Sequence, residues 1–392
     1  MSAEGAADQR PFDVIVFGAT GFTGGMTAEY LARNAPPELR WAIAGRSASK
    51  LESVKARLLA IAPARTIGVV EASVDDPASL ARLAAQTRVV LTTVGPFIDH
   101  GEPLIKACID EGTDYVDSTG EPFFVDRILV RHGKAAAQRG VRLVTCCGFD
   151  SIPADLGVLF TVKQLPEGAP IHVSGYMKLK GTFSGGTERS ALKSLAPPPG
   201  AVKPELPLPS GGRRVRLVTE KPRRHPELGG WTSPLPTIDG AIVLRSAATL
   251  DRYGPDFSYS HNIVHPSFVV MWVAFWFFGG LAIVVRVPFI RDLLLGLVKK
   301  SGQGPTQQQM AQSWFKLRFI AESGGKKVVT EVSGGDPGYG ETSKMLAESA
   351  MCLALDRAQL PPRFGVLTTA EAMGELLIAR VQRAGLRFSV IA

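Results

Sequence analysis

The sequence predicts an α/β protein that begins with a doubly wound parallel sheet, continues into a second α+β domain, and ends in helices that pack back on the first domain. Three observations support this fold class. Apolar strand-like segments alternate with amphipathic helical segments from residue 13 to about residue 145. A glycine-rich turn follows the first of these strands. Beyond residue 165 the alternation stops, and a long connection rich in proline and glycine appears.

The first domain can be assigned element by element from its periodicity. Six apolar segments are candidate strands, at residues 14–17, 41–44, 67–71, 89–94, 115–117 and 141–146. Helices are expected between them, at residues 23–33, 49–60, 77–86, 102–111 and 125–139. Asp76 or Ser79 can cap the third helix, and Gly112 and Gly140 are expected to end the last two.

The first strand leads directly into a turn with Gly18, Gly21 and Gly24 at three-residue spacing. Glycines at this spacing tighten the turn, let the backbone approach a pyrophosphate, and let the next helix pack on the sheet. The second strand ends in Arg46 and Ser47, where an NAD-selective site carries an acidic residue for the ribose 2′-hydroxyl. Arginine favours a 2′-phosphate, so a Rossmann-type domain that binds NADPH is predicted. The alternative for Arg46 is a solvated surface charge.

Other strand ends should also face the cofactor, because ligands of this fold bind outside the carboxyl ends of the strands. Asp75 can accept a hydrogen bond from the adenine amino group, and the alternative is that this Asp75–Asp76 pair caps a helix. Gly95 and Pro96 are expected to lie under the nicotinamide ribose. The turn at residues 147–155 leads into a helix that Asp150 or Ser151 can cap, although a functional role is an equal alternative.

Composition limits the remaining possibilities. At 392 residues and 45% apolar content, the chain can form two or three domains. A net charge of +8 suits an anionic cofactor, an acyl-thioester carrier or an acidic membrane surface, and no nucleic-acid-binding motif is present. The four cysteines have no metal-ligand spacing, so no metal site is expected. The N-terminus lacks the features of a signal peptide, which predicts a cytoplasmic protein.

We divide the chain into a flexible N-terminus (1–10), the nucleotide domain (11–165), an α+β substrate or oligomerisation domain (166–340) and closing helices (341–392). In the second domain, residues 171–180 form a candidate strand, 185–187 open a helix, and 314–322 with 326–332 form a hairpin. Residues 197–236 show no clear periodicity and are rich in basic residues. Two helices are expected at 342–356, where Thr342 can serve as the cap, and at 370–384, before a last strand at 387–391.

An apolar block at residues 263–298 is the most unusual feature of the second domain. No charged residue occurs between Asp256 and Arg286, and a helix over residues 268–285 would be roughly 27 Å long, close to the thickness of a bilayer core. A single crossing would separate the two halves of the protein. The block is therefore expected to dip into the inner face of the membrane as a peripheral anchor, or to form a buried helix, an acyl tunnel or a homodimer interface.

Several motifs in a fixed order carry a resemblance to a known family: GATGFTG, AGRS, TTVGPF, GFDSIPADLG and GDPGYGETSKM. Together they resemble the saccharopine dehydrogenase-like oxidoreductases, and within them the trans-acting enoyl reductases. The resemblance implies that Arg46 and Ser47 bind the 2′-phosphate and that Gly95 and Pro96 border the nicotinamide. The residues it implies for the pyrophosphate are Gly18, Thr20, Gly21, Phe22, Thr23 and Gly24.

The resemblance also implies a reaction, the NADPH-dependent reduction of a carbon–carbon double bond in a polyketide or fatty-acyl thioester during lipid biosynthesis. The expected partners are an acyl carrier or a polyketide synthase. Substrate is expected between Phe97, the 149–151 turn and residues 185–187. Tyr115, Asp150 and Ser151 are candidate proton donors, and spacing does not select among them. Two alternatives are an amino-acid oxidoreductase of the saccharopine dehydrogenase type and a non-catalytic, membrane-associated NADP-binding scaffold.

Overall fold

The computed structural model describes residues 10–181, 192, 201, 212–297 and 304–392. In chain order the strands are β1 (Phe12–Phe17), β2 (Trp41–Gly45), β3 (Ile67–Glu71), β4 (Thr87–Thr92), β5 (Asp114–Asp117), β6 (Arg142–Val144), β7 (Ile171–Lys180), β8 (Arg214–Leu217), β9 (Arg223–His225), β10 (Gly230–Pro234), β11 (Asp256–His265), β12 (Trp314–Ser323), β13 (Lys326–Gly334), β14 (Gly365–Leu367) and β15 (Arg387–Val390). The helices are α1 (Phe22–Asn34), α2 (Ala48–Ile61), α3 (Pro77–Ala85), α4 (Phe97–Glu111), α5 (Pro122–Arg139), α6 (Ile152–Val162), α7 (Asp239–Thr249), α8 (Phe268–Val284), α9 (Pro288–Leu297), α10 (Gln307–Ala311), α11 (Thr342–Leu355), α12 (Thr369–Ala372) and α13 (Gly374–Arg383).

The first sheet contains seven parallel strands in the order β14-β6-β5-β4-β1-β2-β3. From β1 the chain proceeds to β2 and β3 on one side, then returns to β4, β5 and β6 on the other. The strand order therefore reverses between β1 and β4, and this reversal opens the crevice in which doubly wound sheets bind their ligands. The predicted fold class is confirmed.

Both faces of this sheet are buried, which explains why its strands are apolar along nearly their whole length. In β1, Val14 and Val16 belong to one hydrophobic cluster, whereas Ile15 and Phe17 belong to a second cluster. Successive side chains of a strand point to opposite faces, so the two clusters lie on the two sides of the sheet.

The six strands and five helices predicted for this domain are all present, with shifts at their ends. The largest shift concerns the helix predicted at 102–111, which begins at Phe97 and contains Pro103. Gly112 and Gly140 end α4 and α5 in the left-handed conformation, as expected.

The second sheet is mixed, with the strand order β15-β13-β12-β7-β11-β10-β9 and β8 paired alongside β11. β7 pairs in parallel with β11 and antiparallel with β12, and β12 and β13 form the predicted hairpin. Residues 197–236, for which the sequence shows no clear periodicity, contain β8, β9 and β10 in their described part. β8 and β9 are short and mostly exposed, and β10 has a single buried residue, so the three strands lack a clear alternation. The helix start predicted at 185–187 lies outside the described residues.

Helix α6 connects the two sheets and is buried along almost its whole length. It packs against β12, β13 and α7. Its Asp155 carboxylate accepts hydrogen bonds from the Ser246 hydroxyl at 2.5 Å, the Thr369 hydroxyl at 2.7 Å and the Ala370 backbone N–H at 2.8 Å. One side chain therefore joins α6 to α7 and to the start of α12.

The C-terminal segment contributes to both sheets. Helix α11 packs on α1 and on β1, β4 and β5, as expected for a helix that closes on the nucleotide domain. β14 pairs with β6 and adds a seventh strand to the first sheet, whereas β15 pairs with β13 in the second. β14 comprises three residues and was not predicted. The helix expected at 370–384 is interrupted at Met373.

Helix α8 contains most of the apolar block, and it is exposed. Met271 is its only buried residue. The alternative of a buried helix is therefore wrong. Within the described ranges, no helix combines the length and the apolar character that crossing a membrane requires.

Gly157 in α6 allows the close packing of this helix on the second sheet, because a Cβ at this position would lie 2.5 Å from the Phe319 ring and 3.0 Å from Val332. We expect Gly157→Ala to lower the free energy of unfolding by about 1–3 kcal/mol, measured by urea denaturation. Gly133→Ala in α5 is the matched control, since its nearest neighbour is Leu129 at 3.8 Å. This control should raise stability by up to about 1 kcal/mol through helix propensity. Equal effects of the two substitutions would contradict the packing explanation.

Candidate functional site

The turn between β1 and α1 has the shape that its glycines predict. Gly18 has a φ of 95°, a left-handed value that glycine adopts without strain. The Gly21 N–H donates to the Gly18 carbonyl at 2.9 Å. A Cβ at Gly24 would lie 2.3 Å from that same carbonyl oxygen, so only glycine lets α1 approach the turn this closely. The N-terminus of α1, at Phe22, has no side-chain cap and is suited to a phosphate.

Arg46 directly follows β2 and lies beside this turn. β1 and β2 are parallel neighbours in which Phe17 lies opposite Ala44, so the residues that follow them emerge side by side. Arg46 is exposed. A guanidinium in this position can bind a 2′-phosphate with two or more donors.

The other residues predicted around the pyrophosphate are also at this edge. Thr20 is exposed, while Thr23 and Ser47 are partly exposed. The Phe22 ring packs edge-on against the Tyr339 ring, with 4.9 Å between the ring centroids. Tyr339 precedes α11, so the C-terminal segment supports the start of α1.

The two acidic residues after β3 have different positions. Asp76 caps α3, and its carboxylate accepts from the backbone N–H groups of Ala78 at 3.1 Å and Ser79 at 3.2 Å. Asp75 is exposed at the same edge, and its role at the adenine stays a prediction.

The loop after β4 contains Gly95, which is exposed, and a cis peptide bond between Gly95 and Pro96. The buried Glu121 carboxylate holds the start of the next helix, accepting from the N–H groups of Phe97 at 3.0 Å and Ile98 at 2.8 Å. Sequence analysis did not identify Glu121, because a cap supplied by another loop leaves no local pattern. The loop expected beside the nicotinamide is therefore held from outside its own helix.

Asp117, the last residue of β5, connects the adjacent strand ends. Its Oδ1 accepts from the N–H groups of Thr119 and Cys146, both at 3.0 Å, and its Oδ2 accepts from the Tyr115 hydroxyl at 2.8 Å. Burial raises the pKa of Asp117 to about 7. Tyr115 is completely buried, so this candidate proton donor has no accessible surface from which to reach a substrate.

The turn after β6 is held by the C-terminal segment. The Phe149 N–H donates to the Thr342 hydroxyl oxygen at 3.1 Å, and the Phe149 ring packs edge-on against Phe315 with 4.9 Å between centroids. The Thr342 hydroxyl donates to the Pro337 carbonyl at 2.9 Å. The expectation that Thr342 caps its helix is therefore wrong. It is the first residue of α11, and its hydroxyl holds the 149–151 turn instead.

Ser151 occupies the N-cap position of α6, as one alternative predicted, but no side chain accepts a hydrogen bond from the first turn of this helix. Ser151 is buried, and its hydroxyl donates to the Asp150 carbonyl at 2.7 Å. The Asp150 side chain is open to solvent and has no hydrogen-bond partner among the residues that the structure describes. It lies against Gly120, where a Cβ would be 3.0 Å from the Asp150 carboxyl carbon.

The protein that encloses Asp150 raises the pKa of its carboxyl group to about 7, and the nearby Asp239 carboxylate adds to this effect. Asp239 belongs to the second domain, and burial raises its own pKa to about 7. Its Oδ2 lies 3.7 Å from His261 Nε2, and His261 Nδ1 lies 2.7 Å from the Tyr259 hydroxyl. Burial lowers the pKa of His261 to about 4, so this histidine is neutral at pH 7. A ligand can reach Asp150, yet the surrounding groups disfavour its charge.

These features define the class of protein: an oxidoreductase with an NADP-binding Rossmann-type domain. Residues 14–144 match the family model of the saccharopine dehydrogenase NADP-binding domain. The cofactor is NADP(H), as the glycine turn and Arg46 predict.

Relatives along nearly the whole chain identify the family. The human saccharopine dehydrogenase-like oxidoreductase is 32% identical over 447 residues, which covers 98% of this chain and 99% of the relative. A Mycobacterium tuberculosis protein provisionally named a trans-acting enoyl reductase is 37% identical over 415 residues, 97% of each chain. A trans-acting enoyl reductase of Mycobacterium ulcerans is 32% identical over 416 residues, 96% of this chain and 97% of the relative. The chain belongs to the saccharopine dehydrogenase-like oxidoreductases, which confirms the resemblance.

A solved structure agrees with the two-domain fold. Saccharopine dehydrogenase (L-Glu forming) from Saccharomyces cerevisiae aligns over 97% of this chain and 100% of its own, with a TM-score of 0.57 and 14% identity. At this identity the similarity concerns the fold alone.

The cradle at Gly24 can be tested by cofactor binding. We expect Gly24→Ala to weaken NADPH binding by at least about tenfold in a fluorescence titration, because the new Cβ pushes α1 away from the turn. Gly25→Ala is the matched control. Its Cβ would meet only the flexible end of Arg57, at 3.1 Å, and Ala19 O at 3.5 Å. Similar affinities for both variants would contradict the assigned role of Gly24.

The role of Arg46 predicts a change in cofactor preference. Arg46→Ala should weaken NADPH binding by about 10- to 100-fold through loss of charge-assisted hydrogen bonds to the 2′-phosphate, while NADH affinity stays constant. Parallel titrations with both cofactors measure this difference. Lys50→Ala removes another exposed positive charge nearby and should change neither affinity. If Arg46→Ala lowers the affinities for NADH and NADPH equally, Arg46 does not recognise the 2′-phosphate.

Proposed function

We propose that this protein is an NADPH-dependent enoyl reductase that reduces a carbon–carbon double bond of a polyketide or fatty-acyl thioester, with Asp150 as the proton donor. The proposal depends mainly on one observation: Asp150 is an exposed carboxyl group at the carboxyl edge of the first sheet, after β6 and against Gly120. The surrounding protein raises its pKa to about 7, which supports this role. Relatives named trans-acting enoyl reductases, at 37% and 32% identity, support the reaction class.

The order of the strands supports this arrangement of cofactor and substrate. Arg46 and Asp75 follow β2 and β3 on the side expected for the adenosine, the phosphate turn follows β1, and Gly95 follows β4. Adjacent strands lie about 4.8 Å apart, so β6 ends roughly 10 Å beyond β4 along the same edge. Asp150 comes after β6 and leans on Gly120, which comes after β5. This position supports a substrate site beside Asp150, on the side of the Gly95–Pro96 loop that faces away from the phosphate turn.

The chemistry of the reaction requires an acid at this position. Bound NADPH supplies the hydride that adds to the β-carbon of the enoyl thioester. The α-carbon must then receive a proton. A carboxyl group with a pKa of about 7 is protonated in half of the molecules at neutral pH. Asp150 donates this proton from its carboxyl O–H and, because its side chain is open to solvent, regains one from water.

The carboxyl groups near the reacting centre are compatible with an acyl thioester as the substrate. Asp150 and Asp239 each disfavour a further negative charge nearby, and an acyl thioester brings no charge to the reacting centre.

An acyl carrier protein is the partner that we propose for delivery of the substrate. Arg214 on β8, Arg224 on β9 and Lys221 between them are exposed. Basic surfaces of this kind attract acidic proteins.

The proposal can be tested with long-chain 2-enoyl thioesters, attached to coenzyme A and to a carrier protein. Wild-type protein should oxidise NADPH with at least one of them, and Asp150→Asn should lower kcat by about 10²- to 10⁴-fold while NADPH affinity stays within about twofold. Asp110→Asn changes an exposed carboxylate in α4 and should retain full activity. NADPH binding without oxidation of NADPH by either thioester would favour the scaffold alternative, and turnover of lysine-type substrates would favour an amino-acid oxidoreductase.

The pH dependence of the reaction follows from the raised pKa of Asp150. The acid must be protonated, so kcat/KM should be constant below pH 7 and fall about tenfold per pH unit above it. Rates measured from pH 5 to 9 give this profile. An Asp150→Asn variant with an unchanged profile would exclude Asp150 as the titrating group.

A further inference from the structure

The segment formed by α8 and α9, which we term the apolar arm, leaves the second domain after β11 and exposes large apolar side chains. Ring packing between Trp231 and Phe268, with 5.0 Å between centroids, and the buried Met271 attach its first turn to the domain. The Ser267 hydroxyl caps α8 by accepting from the Val270 N–H at 3.3 Å. Beyond this first turn, the aromatic rings of α8 contact mainly one another, as in the stacked Trp272–Trp276 pair at 5.8 Å.

The exposure of α8 extends around its whole circumference. Phe275, Trp276, Phe277 and Phe278 are four consecutive residues with exposed fractions of 62, 65, 64 and 61%. Each residue turns an α-helix by about 100°, so these four side chains point in all directions around the axis. A folded protein partner or a second copy would cover one side of such a helix. A hydrocarbon phase covers every side, and the helix itself satisfies its backbone hydrogen bonds.

The topology of the second sheet restricts how the arm can enter lipid. The chain leaves from β11 and returns to β12, and both strands pair with β7 in the same sheet. The two ends of the arm are therefore on the same side of any membrane. The 17 residues of α8 extend about 26 Å, which is less than the roughly 30 Å of a bilayer core. This geometry fits insertion into one leaflet.

The second helix of the arm continues the apolar surface and adds positive charge. Phe289 and Leu293 lie one turn apart in α9 and are 77% and 56% exposed. Arg286, between the two helices, is exposed as well. Over residues 286–300 the sequence has four basic residues and one acidic residue. Positive charge beside an apolar helix matches the headgroups of an anionic membrane surface.

We infer that the apolar arm is a monotopic membrane anchor, which inserts α8 into one leaflet of an anionic bilayer and keeps both domains on the same side. The anchor keeps the protein at the membrane, into which long acyl chains partition. This inference concerns binding to lipid only and does not depend on the proposed reductase activity.

The test is flotation of purified, detergent-free protein with vesicles, either of neutral phosphatidylcholine or with a fraction of phosphatidylglycerol. We expect most of the wild-type protein to float with anionic vesicles. The quadruple variant Phe275→Ser, Trp276→Ser, Phe277→Ser, Phe278→Ser should have a partition coefficient lower by at least about tenfold, because the apolar surface that drives insertion is lost. NADPH affinity should stay within about twofold, since these side chains are exposed and support no part of the fold.

Two further variants distinguish the contribution of the apolar arm from that of other exposed apolar side chains and of positive charge. The double variant Val130→Ser, Leu217→Ser changes two side chains outside the arm that are 52% and 53% exposed, and it should leave flotation unchanged. Arg286→Gln should weaken binding to anionic vesicles and leave binding to neutral vesicles unchanged.

The depth of insertion can be measured from tryptophan fluorescence. Two of the five tryptophans, Trp272 and Trp276, lie in α8. Lipids brominated along the acyl chain should quench the tryptophan fluorescence of the wild-type protein. They should quench the fluorescence of the double variant Trp272→Phe, Trp276→Phe much less.

Three results would overturn the inference: no flotation with either vesicle, flotation that survives the serine substitutions, or quenching that the tryptophan substitutions do not change. A detergent-free oligomer that dissociates on serine substitution, without vesicle binding by the wild type, would identify a second copy as the occupant instead. Each result is read without substrate, so failure of the anchor is distinguishable from failure of the reductase proposal.

Discussion

The whole site depends on one constraint: the strands of the first sheet run in the same direction, so their carboxyl ends meet at one edge. The turn after β1, the loop after β4 and the turn after β6 are far apart in the chain, yet hydrogen bonding between parallel strands brings them onto one line. The reversal of strand order between β1 and β4 then separates the helices enough for a cofactor to enter. Gly24 completes this geometry, because its missing side chain lets α1 begin directly beside the phosphate turn.

Buried polar side chains hold this edge in place, and each is used by a neighbouring loop. Glu121 holds the helix after Gly95, Asp117 joins the ends of β5 and β6, and Thr342 holds the turn at Phe149. Polar groups in the interior of a protein nearly always have such partners. Asp150 differs from them, because it is exposed and has no hydrogen-bond partner among the described residues, while the surrounding protein and Asp239 raise its pKa. This contrast distinguishes a group available for chemistry from groups that stabilise the scaffold.

Much of the nucleotide domain could be predicted because its signals are local. The alternation of strand and helix periodicity predicted six strands and five helices of this domain. The glycine spacing indicated the phosphate turn, and together with Arg46 it indicated the cofactor. The roles of Asp150 and Glu121 could not be predicted in the same way. Whether Asp150 had a raised pKa depended on the second domain, to which Asp239 belongs. Glu121 holds the start of α4, from which it is separated in the chain by β5.

The sequence by itself determined the fold class, the NADP-binding turn and the presence of an apolar block, because these depend on residue type and spacing within short segments. Only the tertiary structure decided that the block is exposed around its whole circumference and that Asp150 has a raised pKa. Both properties depend on what lies nearby in space, since exposure and solvation are set by the packing of distant segments. The same apolar residues could have formed a buried helix, and the same aspartate an ordinary helix cap, had the second sheet packed elsewhere.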